Sequence, residues 1–174
     1  KDWKIQTVPH HLADIDTAVQ CAVSGAFFGT GQKCTASSRI IVESGIHDRF
    51  VSKMTDAMAN LVVGNALTPG AHIGAVVDER QLKQNLDYIE IAKSEGAELV
   101  VGGERLSLQT EGFFMSPALF INTNNQMQIN REEVFGPIAC VIKVDNYEQA
   151  LEVSNDSDFG LTSGIITESL KFAS

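Results

Sequence analysis

Apolar residues recur at helical spacing in four stretches of the chain. In residues 14–28 they fall three or four positions apart, which places one apolar stripe along a helix that Asp14 or Asp16 can cap. Residues 46–62 and 78–94 repeat this spacing, and residues 147–155 have a shorter helical pattern. The pattern therefore predicts four amphipathic helices.

Short apolar runs rich in β-branched residues lie between these helical stretches. Glycine, proline, aspartate or asparagine flanks most of them, and they cover residues 39–42, 98–101, 114–121, 138–144 and 161–167. Residues 64–72, with Pro69 and Gly70, predict a loop. Because strands alternate with helices, we expect an α/β domain with a mostly parallel sheet flanked by helices. Its strands would include residues 39–42, 99–101, 138–144 and 161–167.

Composition narrows the classes of function. The 174 residues are 44% hydrophobic and 20% charged, which is typical of one folded domain without a large disordered part. A formal charge of -9, with no basic stripe, argues against a nucleic-acid partner. No apolar run is long enough to cross a bilayer and no signal-peptide pattern opens the chain, so we expect a cytoplasmic protein without membrane contact.

The cysteines and histidines indicate neither a disulfide framework nor a metal site. The three cysteines form no Cys-x-x-Cys pair, and the four histidines lack metal-ligand spacing. Cys21 lies in a helical stretch and Cys140 in an apolar strand, so both are interpreted as packing residues. Cys34 instead follows a glycine-containing turn, and Lys33 beside it can favour the nucleophilic thiolate. A free cysteine is nevertheless more often a buried, small apolar residue.

Two segments carry a specific resemblance. The segment from Phe27 to Arg39, FFGTGQKCTASSR, resembles the nucleophile segment of aldehyde dehydrogenases, in which Gly-Gln-x-Cys presents the attacking thiol. Residues 131–138, REEVFGPI, are similar to that family's Glu-x-Phe-Gly-Pro motif and follow Cys34 at about the separation found in the family. With further agreement at residues 13–19 and 155–164, the resemblance covers residues 13–174.

The resemblance implies oxidation of a small aldehyde to a carboxylic acid with NAD or NADP. The Cys34 thiolate would attack the carbonyl, and the backbone N–H of Cys34 would contribute to the oxyanion hole. Glu133 would accept hydrogen bonds from the nicotinamide ribose, and Phe135 would pack near the nicotinamide. From residue type alone, the Glu132-Glu133 pair is more often a solvated helix end and Phe135 more often a core residue.

Other parts of the family pattern are absent from the sequence. No glycine-rich phosphate-binding turn follows a strand, and the family's Glu-Leu-Gly-Gly-Lys segment, which supplies the general base, does not occur. Residues 1–12 are interpreted as an atypical segment or junction, and residues 13–174 as a partial catalytic domain truncated at both ends. We expect the isolated chain to bind no cofactor, to be inactive, and to form homo-oligomers through apolar surface left uncovered.

Two other functions remain open. The chain can be a catalytically silent α/β binding or assembly module, such as a gene remnant. A thiol hydrolase is the third alternative, although no histidine near Cys34 in the sequence offers a general base.

Overall fold

The computed structural model describes residues 5–8 and 14–167. Its helices are α1 (Ile15–Phe27), α2 (Ser44–Met58), α3 (Glu79–Ser94), α4 (Gln128–Arg131) and α5 (Tyr147–Asn155). Its strands are β1 (Ile5–Val8), β2 (Arg39–Glu43), β3 (Glu98–Val101), β4 (Arg105–Leu106), β5 (Phe114–Met115), β6 (Ala118–Ile121), β7 (Ile138–Val144) and β8 (Gly164–Ile165).

Six of these strands form one sheet in the order β3-β6-β7-β2-β1-β8. All neighbours in it are parallel except β3, which pairs antiparallel with β6 at one edge. Strands β4 and β5 form a separate two-stranded sheet. The predicted α/β class with a mostly parallel sheet flanked by helices is confirmed.

Helices cover both faces of the central strands. In β2, Ile40 and Val42 pack with α1 and α2, whereas Ile41 points to the opposite face and packs with Ala150 of α5. Helix α3 covers a further part of that opposite face through Leu82 and Ile89. A parallel strand that is buried on both faces needs a continuous apolar sequence, which explains why residues 39–42 and 138–144 show no polar alternation.

Side-chain caps fix the starts of three helices. Asp14 accepts a hydrogen bond from the backbone N–H of Asp16 at 3.0 Å, and Asp78 accepts one from Gln81 at 2.7 Å. Asn146 does the same at the start of α5. Each such cap stabilises its helix by about 1 kcal/mol. The helices predicted from residues 14–28, 78–94 and 147–155 are confirmed.

Several predicted boundaries were wrong. Helix α2 starts at Ser44, directly after β2, and ends at Met58, because the following chain pairs Val63 with Ile73 instead of continuing the helix. The stretch 114–121 is divided between two sheets at Pro117, which has no N–H for a continuous ladder. The last strand covers Gly164–Ile165 instead of residues 161–167.

Strand β1 lies in the stretch that was interpreted as an atypical segment. It pairs in parallel with β2, with Gln6 opposite Ile40, and with β8 on its other side. Residues 1–4 and 9–13 lie outside the described residues, so the boundary at residue 12 stays a prediction. Within the described ranges, no helix is long and apolar enough to cross a membrane.

Candidate functional site

The two motif-bearing loops meet because they lead into neighbouring strands. Strands β2 and β7 are parallel, with Arg39 opposite Cys140, and the Cys140 N–H donates to the Ser38 carbonyl at 2.8 Å. Residues 29–38 lead into β2 and residues 132–137 lead into β7. Both loops therefore lie at the amino-terminal edge of the central strands.

Gly31 lies at a close approach between the two loops. A Cβ atom at this position would lie 2.1 Å from the Gly136 carbonyl oxygen, well inside van der Waals contact. The residue also has φ +64°, in the left-handed region that glycine adopts without strain. The backbones of the two loops are in direct contact here, and a side chain would separate them.

The segment before the cysteine has an unusual backbone. Three consecutive residues, Gly29, Thr30 and Gly31, have φ of 71°, 62° and 64°. For a non-glycine residue such as Thr30, the left-handed conformation costs about 1–2 kcal/mol. The Thr30 hydroxyl donates to the Gly74 carbonyl at 3.3 Å, and the Gln32 side-chain oxygen accepts from the Val77 N–H at 2.9 Å. Contacts with residues 74–77 thus hold the strained loop.

Cys34 lies in a turn that exposes it to solvent. The Ala36 N–H donates to the Lys33 carbonyl at 3.0 Å and closes the turn around Cys34. The Ser37 N–H donates to the Gly25 carbonyl at 2.9 Å, which fastens the far end of the loop to α1. The Lys33 side chain lies over Gly29, where a Cβ would meet Lys33 Cε at 2.5 Å. The turn presents the thiol while its flanking residues stay fixed.

A small cavity lies beside this contact and is lined by both loops. Its volume is ≈ 30 Å³, enough for about one or two water molecules but not for a substrate. Glu133 and Phe135 line it from one side and Lys33 and Ala36, which flank the Cys34 turn, from the other. Glu133 is half-buried, whereas the Phe135 ring is 37% exposed and its backbone has φ +56°. The structure thus brings both predicted cofactor-binding residues to the nucleophile loop.

Helix α3 fixes the Glu133 loop through residues that the sequence interpretation missed. The Gln81 amide nitrogen donates to the carbonyls of Val134 and Phe135 at 3.0 and 3.2 Å and to Asn85 Oδ1 at 2.9 Å. Asn85 is fully buried and lies directly under Gly136. The sequence contains a signal for this role of Asn85, because it is a polar residue on the apolar stripe of α3 that includes Leu82 and Ile89.

A second contact from α3 reaches the same loop. The Tyr88 hydroxyl donates a short hydrogen bond to the Glu132 carboxylate. Burial and this bond raise the pKa of Tyr88 to about 12, and the bond lowers the pKa of Glu132. Glu132, the acidic neighbour of Glu133, therefore uses its carboxylate in a hydrogen bond within the protein.

Arg39 anchors the other end of the nucleophile segment. It is 1% exposed and donates to Asn125 Oδ1 at 2.8 Å and to the carbonyls of Val153 and Ser154 at 3.2 and 3.3 Å. Burial lowers its pKa to about 10. Its charged bonds tie the start of β2 to the end of α5. The sequence pattern places Arg39 at the start of a strand and in the family-like segment, and it indicates none of these bonds.

The other cysteines differ from each other. Cys140 is buried, as predicted, and burial raises the pKa of its thiol. The interpretation of Cys21 as a packing residue was wrong, because it lies on the exposed side of α1. Among the residues that the structure describes, no cluster of three His, Cys, Asp or Glu side chains could hold a metal ion.

Comparison with known proteins identifies the family of this chain. The model of the aldehyde dehydrogenase family matches residues 6–174. The chain belongs to the aldehyde dehydrogenase family. Among its relatives, the α-ketoglutaric semialdehyde dehydrogenase of Bacillus subtilis (strain 168) is 42% identical over 160 residues, and the betaine aldehyde dehydrogenase of Mesorhizobium japonicum is 40% identical. Each alignment covers 91% of this chain and 33% of the relative.

Solved structures of aldehyde dehydrogenases have the same fold as this chain. An indole-3-acetaldehyde dehydrogenase in complex with NAD+ superposes with a TM-score of 0.92 at 35% identity. A betaine aldehyde dehydrogenase from Staphylococcus aureus, with a BME-modified cysteine, superposes with a TM-score of 0.93 at 31% identity. Both comparisons cover 99% of this chain and 34% of the other. The chain spans about a third of the length of these relatives.

Proposed function

We propose that this chain supplies the thiol nucleophile and part of the nicotinamide site for NAD(P)-dependent oxidation of an aldehyde to a carboxylic acid. The observation that carries the proposal is the contact of two loops at Gly31 and Gly136. It places the exposed Cys34 turn beside the cavity that Glu133 and Phe135 line. The similarity to aldehyde dehydrogenases, one of which has been solved in complex with NAD+, supports it.

Cys34 forms and releases the covalent bond in this reaction. Its thiolate adds to the aldehyde carbon, and the carbonyl oxygen becomes an oxyanion next to the Cys34 backbone N–H. Bound NAD(P)+ supplies the hydride acceptor. Loss of hydride from the carbon leaves an acyl thioester on Cys34, and hydrolysis gives the carboxylic acid and frees the thiol. A BME-modified cysteine in the Staphylococcus aureus relative is consistent with a reactive thiol.

The residues opposite Cys34 fit the nicotinamide end of such a cofactor. Glu133 carries hydrogen-bond acceptors at a half-buried position, and Phe135 presents an apolar ring that is 37% exposed. A carboxylate can accept from two ribose hydroxyls, and an exposed ring can pack against a nicotinamide. We assign Glu133 to ribose binding and Phe135 to nicotinamide packing.

The 174 residues offer no matching site for the rest of the cofactor. No glycine-rich turn between a strand and a helix occurs in the sequence to bind a pyrophosphate. Positioning of reactants supplies about 7–11 kcal/mol of barrier reduction in well-oriented systems. We therefore propose that these residues alone do not reduce NAD(P)+ at an enzyme-like rate.

For the substrate we propose a small semialdehyde. The α-ketoglutaric semialdehyde dehydrogenase of Bacillus subtilis, a relative at 42% identity, supports this choice. Comparison of α-ketoglutaric semialdehyde with betaine aldehyde as substrates of the complete gene product tests this choice. A higher kcat/KM for betaine aldehyde would reject it.

We also propose that the protein is cytoplasmic and self-associates. The similarity to two cytosolic aldehyde dehydrogenases supports the location. The described residues expose apolar side chains such as Leu67, at 91%, and Val77, at 73%. Where such side chains form a contiguous patch, they favour association. Light scattering over a range of concentrations tests it, and a monodisperse monomer at the highest concentration would contradict it.

The central experiment compares the 174-residue chain with the complete gene product. NAD(P)H formation with a short aldehyde is measured for each, and for the variants Cys34→Ala and Cys21→Ala. We expect turnover that Cys34→Ala abolishes and Cys21→Ala preserves in the complete product, and none in the chain alone. Because Cys21 is also exposed, it is the matched control for loss of a surface thiol. Turnover that survives Cys34→Ala would overturn the proposal.

A further inference from the structure

The loop that carries Glu133 and Phe135 has a strained backbone conformation, which the loop by itself would not keep. Phe135 has φ +56°, a conformation that a residue with a bulky side chain rarely adopts. Such backbone strain persists only where the surrounding structure imposes it. The contacts around this loop should therefore include the groups that impose it.

Gln81 of α3 makes the contacts that reach this strained point. Its amide nitrogen lies 3.0 Å from the Val134 carbonyl and 3.2 Å from the Phe135 carbonyl. With Asn85 Oδ1 at 2.9 Å, three acceptors surround two N–H hydrogens, so one hydrogen is shared. Gln84 adds only a longer contact to the Val134 carbonyl, at 3.4 Å. Gln81 thus fixes the direction of two successive carbonyl groups.

Asn85 fixes Gln81 in turn. It lies one helical turn further along α3, is fully buried, and its side-chain oxygen faces the Gln81 amide nitrogen. The Asn85 amide nitrogen contacts the Met115 sulfur at 3.6 Å. A Cβ atom added to Gly136 would lie 2.2 Å from the same nitrogen. The Asn85 side chain therefore orients Gln81 and also forms the floor beneath the Gly136 backbone.

We propose that Gln81 and Asn85 are positioning residues that hold the backbone of Val134, Phe135 and Gly136, and so set the placement of the Glu133 carboxylate and the Phe135 ring. The part of this inference that concerns cofactor binding rests on the proposed function. The loop-holding part depends only on the contacts of α3. Neither residue needs to touch the cofactor for its loss to weaken binding.

The test replaces Gln81 by side chains of similar length and different hydrogen-bonding capacity. Gln81→Glu removes the donors and places a carboxylate against two carbonyl oxygens, Gln81→Met removes the donors only, and Gln81→Lys restores a donor. Asn85→Leu removes the group that orients Gln81. Gln84→Met is the matched control on the same helix, because its contact is the weaker one at 3.4 Å.

Amide hydrogen exchange at residues 132–136 is the first readout and needs no cofactor. We expect exchange about 10-fold faster for Gln81→Met and Asn85→Leu, faster still for Gln81→Glu, nearer the unaltered rate for Gln81→Lys, and unchanged for Gln84→Met. This order follows donor capacity rather than side-chain volume, so a purely space-filling role would not produce it. Unchanged exchange in Gln81→Glu and Asn85→Leu would overturn the inference.

Cofactor affinity is the second readout, measured in the complete gene product. We expect the KM for NAD(P)+ to rise about 10-fold in Gln81→Glu, in step with the exchange rates, while Cys34 alkylation stays within about twofold of the unaltered rate. A faster exchange rate with an unchanged KM would overturn the cofactor part of the inference. Absence of any NAD(P)+ response in the unaltered protein would reject the proposed function, and the exchange data would still decide the loop-holding role.

Discussion

Substitution of Gly31 by alanine should loosen the candidate site more than a methyl group added at any other position of the Cys34 loop. The added Cβ would lie 2.1 Å from the Gly136 oxygen, 2.5 Å from the Gly136 carbon and 3.0 Å from the Ala26 oxygen. All of these partners are backbone atoms, so no side-chain rotation can relieve the overlap. The loop must instead move away from Gly136.

The expected cost has two parts. Placing alanine in the left-handed conformation at φ +64° costs about 1–2 kcal/mol. Overpacking against a fixed backbone typically costs about 1–3 kcal/mol more. The free energy of unfolding should therefore fall by about 2–5 kcal/mol, a large part of the ~5–15 kcal/mol that stabilises a typical domain.

The variant Gly70→Ala separates the cost of backbone strain from the cost of overpacking. Gly70 has φ +88°, further from the left-handed minimum than Gly31, but nothing lies within 4 Å of its Cβ position. Urea unfolding should show a loss of about 1–2 kcal/mol for Gly70→Ala from strain alone. Gly31→Ala should lose more and should also change the alkylation rate of Cys34. Equal losses in the two variants would refute the close contact between the loops.

Other predictions concern Arg39, Tyr88 and the cysteines. Arg39→Met should lower the free energy of unfolding by about 3 kcal/mol, because the buried carbonyls of Val153 and Ser154 lose their charged donor. Replacement of the exposed Arg49 by Met should change the free energy of unfolding little. Urea unfolding of both variants checks this. The pKa of Tyr88 is raised from 10.0 to about 12 in the folded state, so its contribution to stability is complete below pH 10 and is lost as the pH rises to 12. Tyr88→Phe should therefore reduce stability at pH 8 and flatten the loss measured between pH 10 and 12. Mass-spectrometric alkylation should modify Cys34 and Cys21 in the folded protein and Cys140 only after unfolding; early modification of Cys140 would contradict its burial.

Several features of this protein were determined by the sequence alone, because their causes are local. Apolar spacing and the caps Asp14 and Asp78 specify helices within a few turns of chain, and the continuous apolar runs specify strands buried on both faces. The segments around Cys34 and Glu133 were also recognisable, since each motif is contiguous. The positions of α1, α3 and α5, the α/β class and the family followed from these signals, whereas α2 was predicted with wrong bounds and the short α4 was not predicted.

Only the tertiary structure decided what surrounds those segments. The parallel pairing of β2 with β7 brings the two loops together, and no local pattern predicts that register. The exposure of Cys21 and the partners of Arg39 depend on which neighbours cover each position. The same holds for Gln81 and Asn85, which are ordinary helix residues until the fold places the carbonyls of Val134 and Phe135 against them. Hydrogen bonds between residues about 50 positions apart depend on packing, and packing is a property of the whole chain.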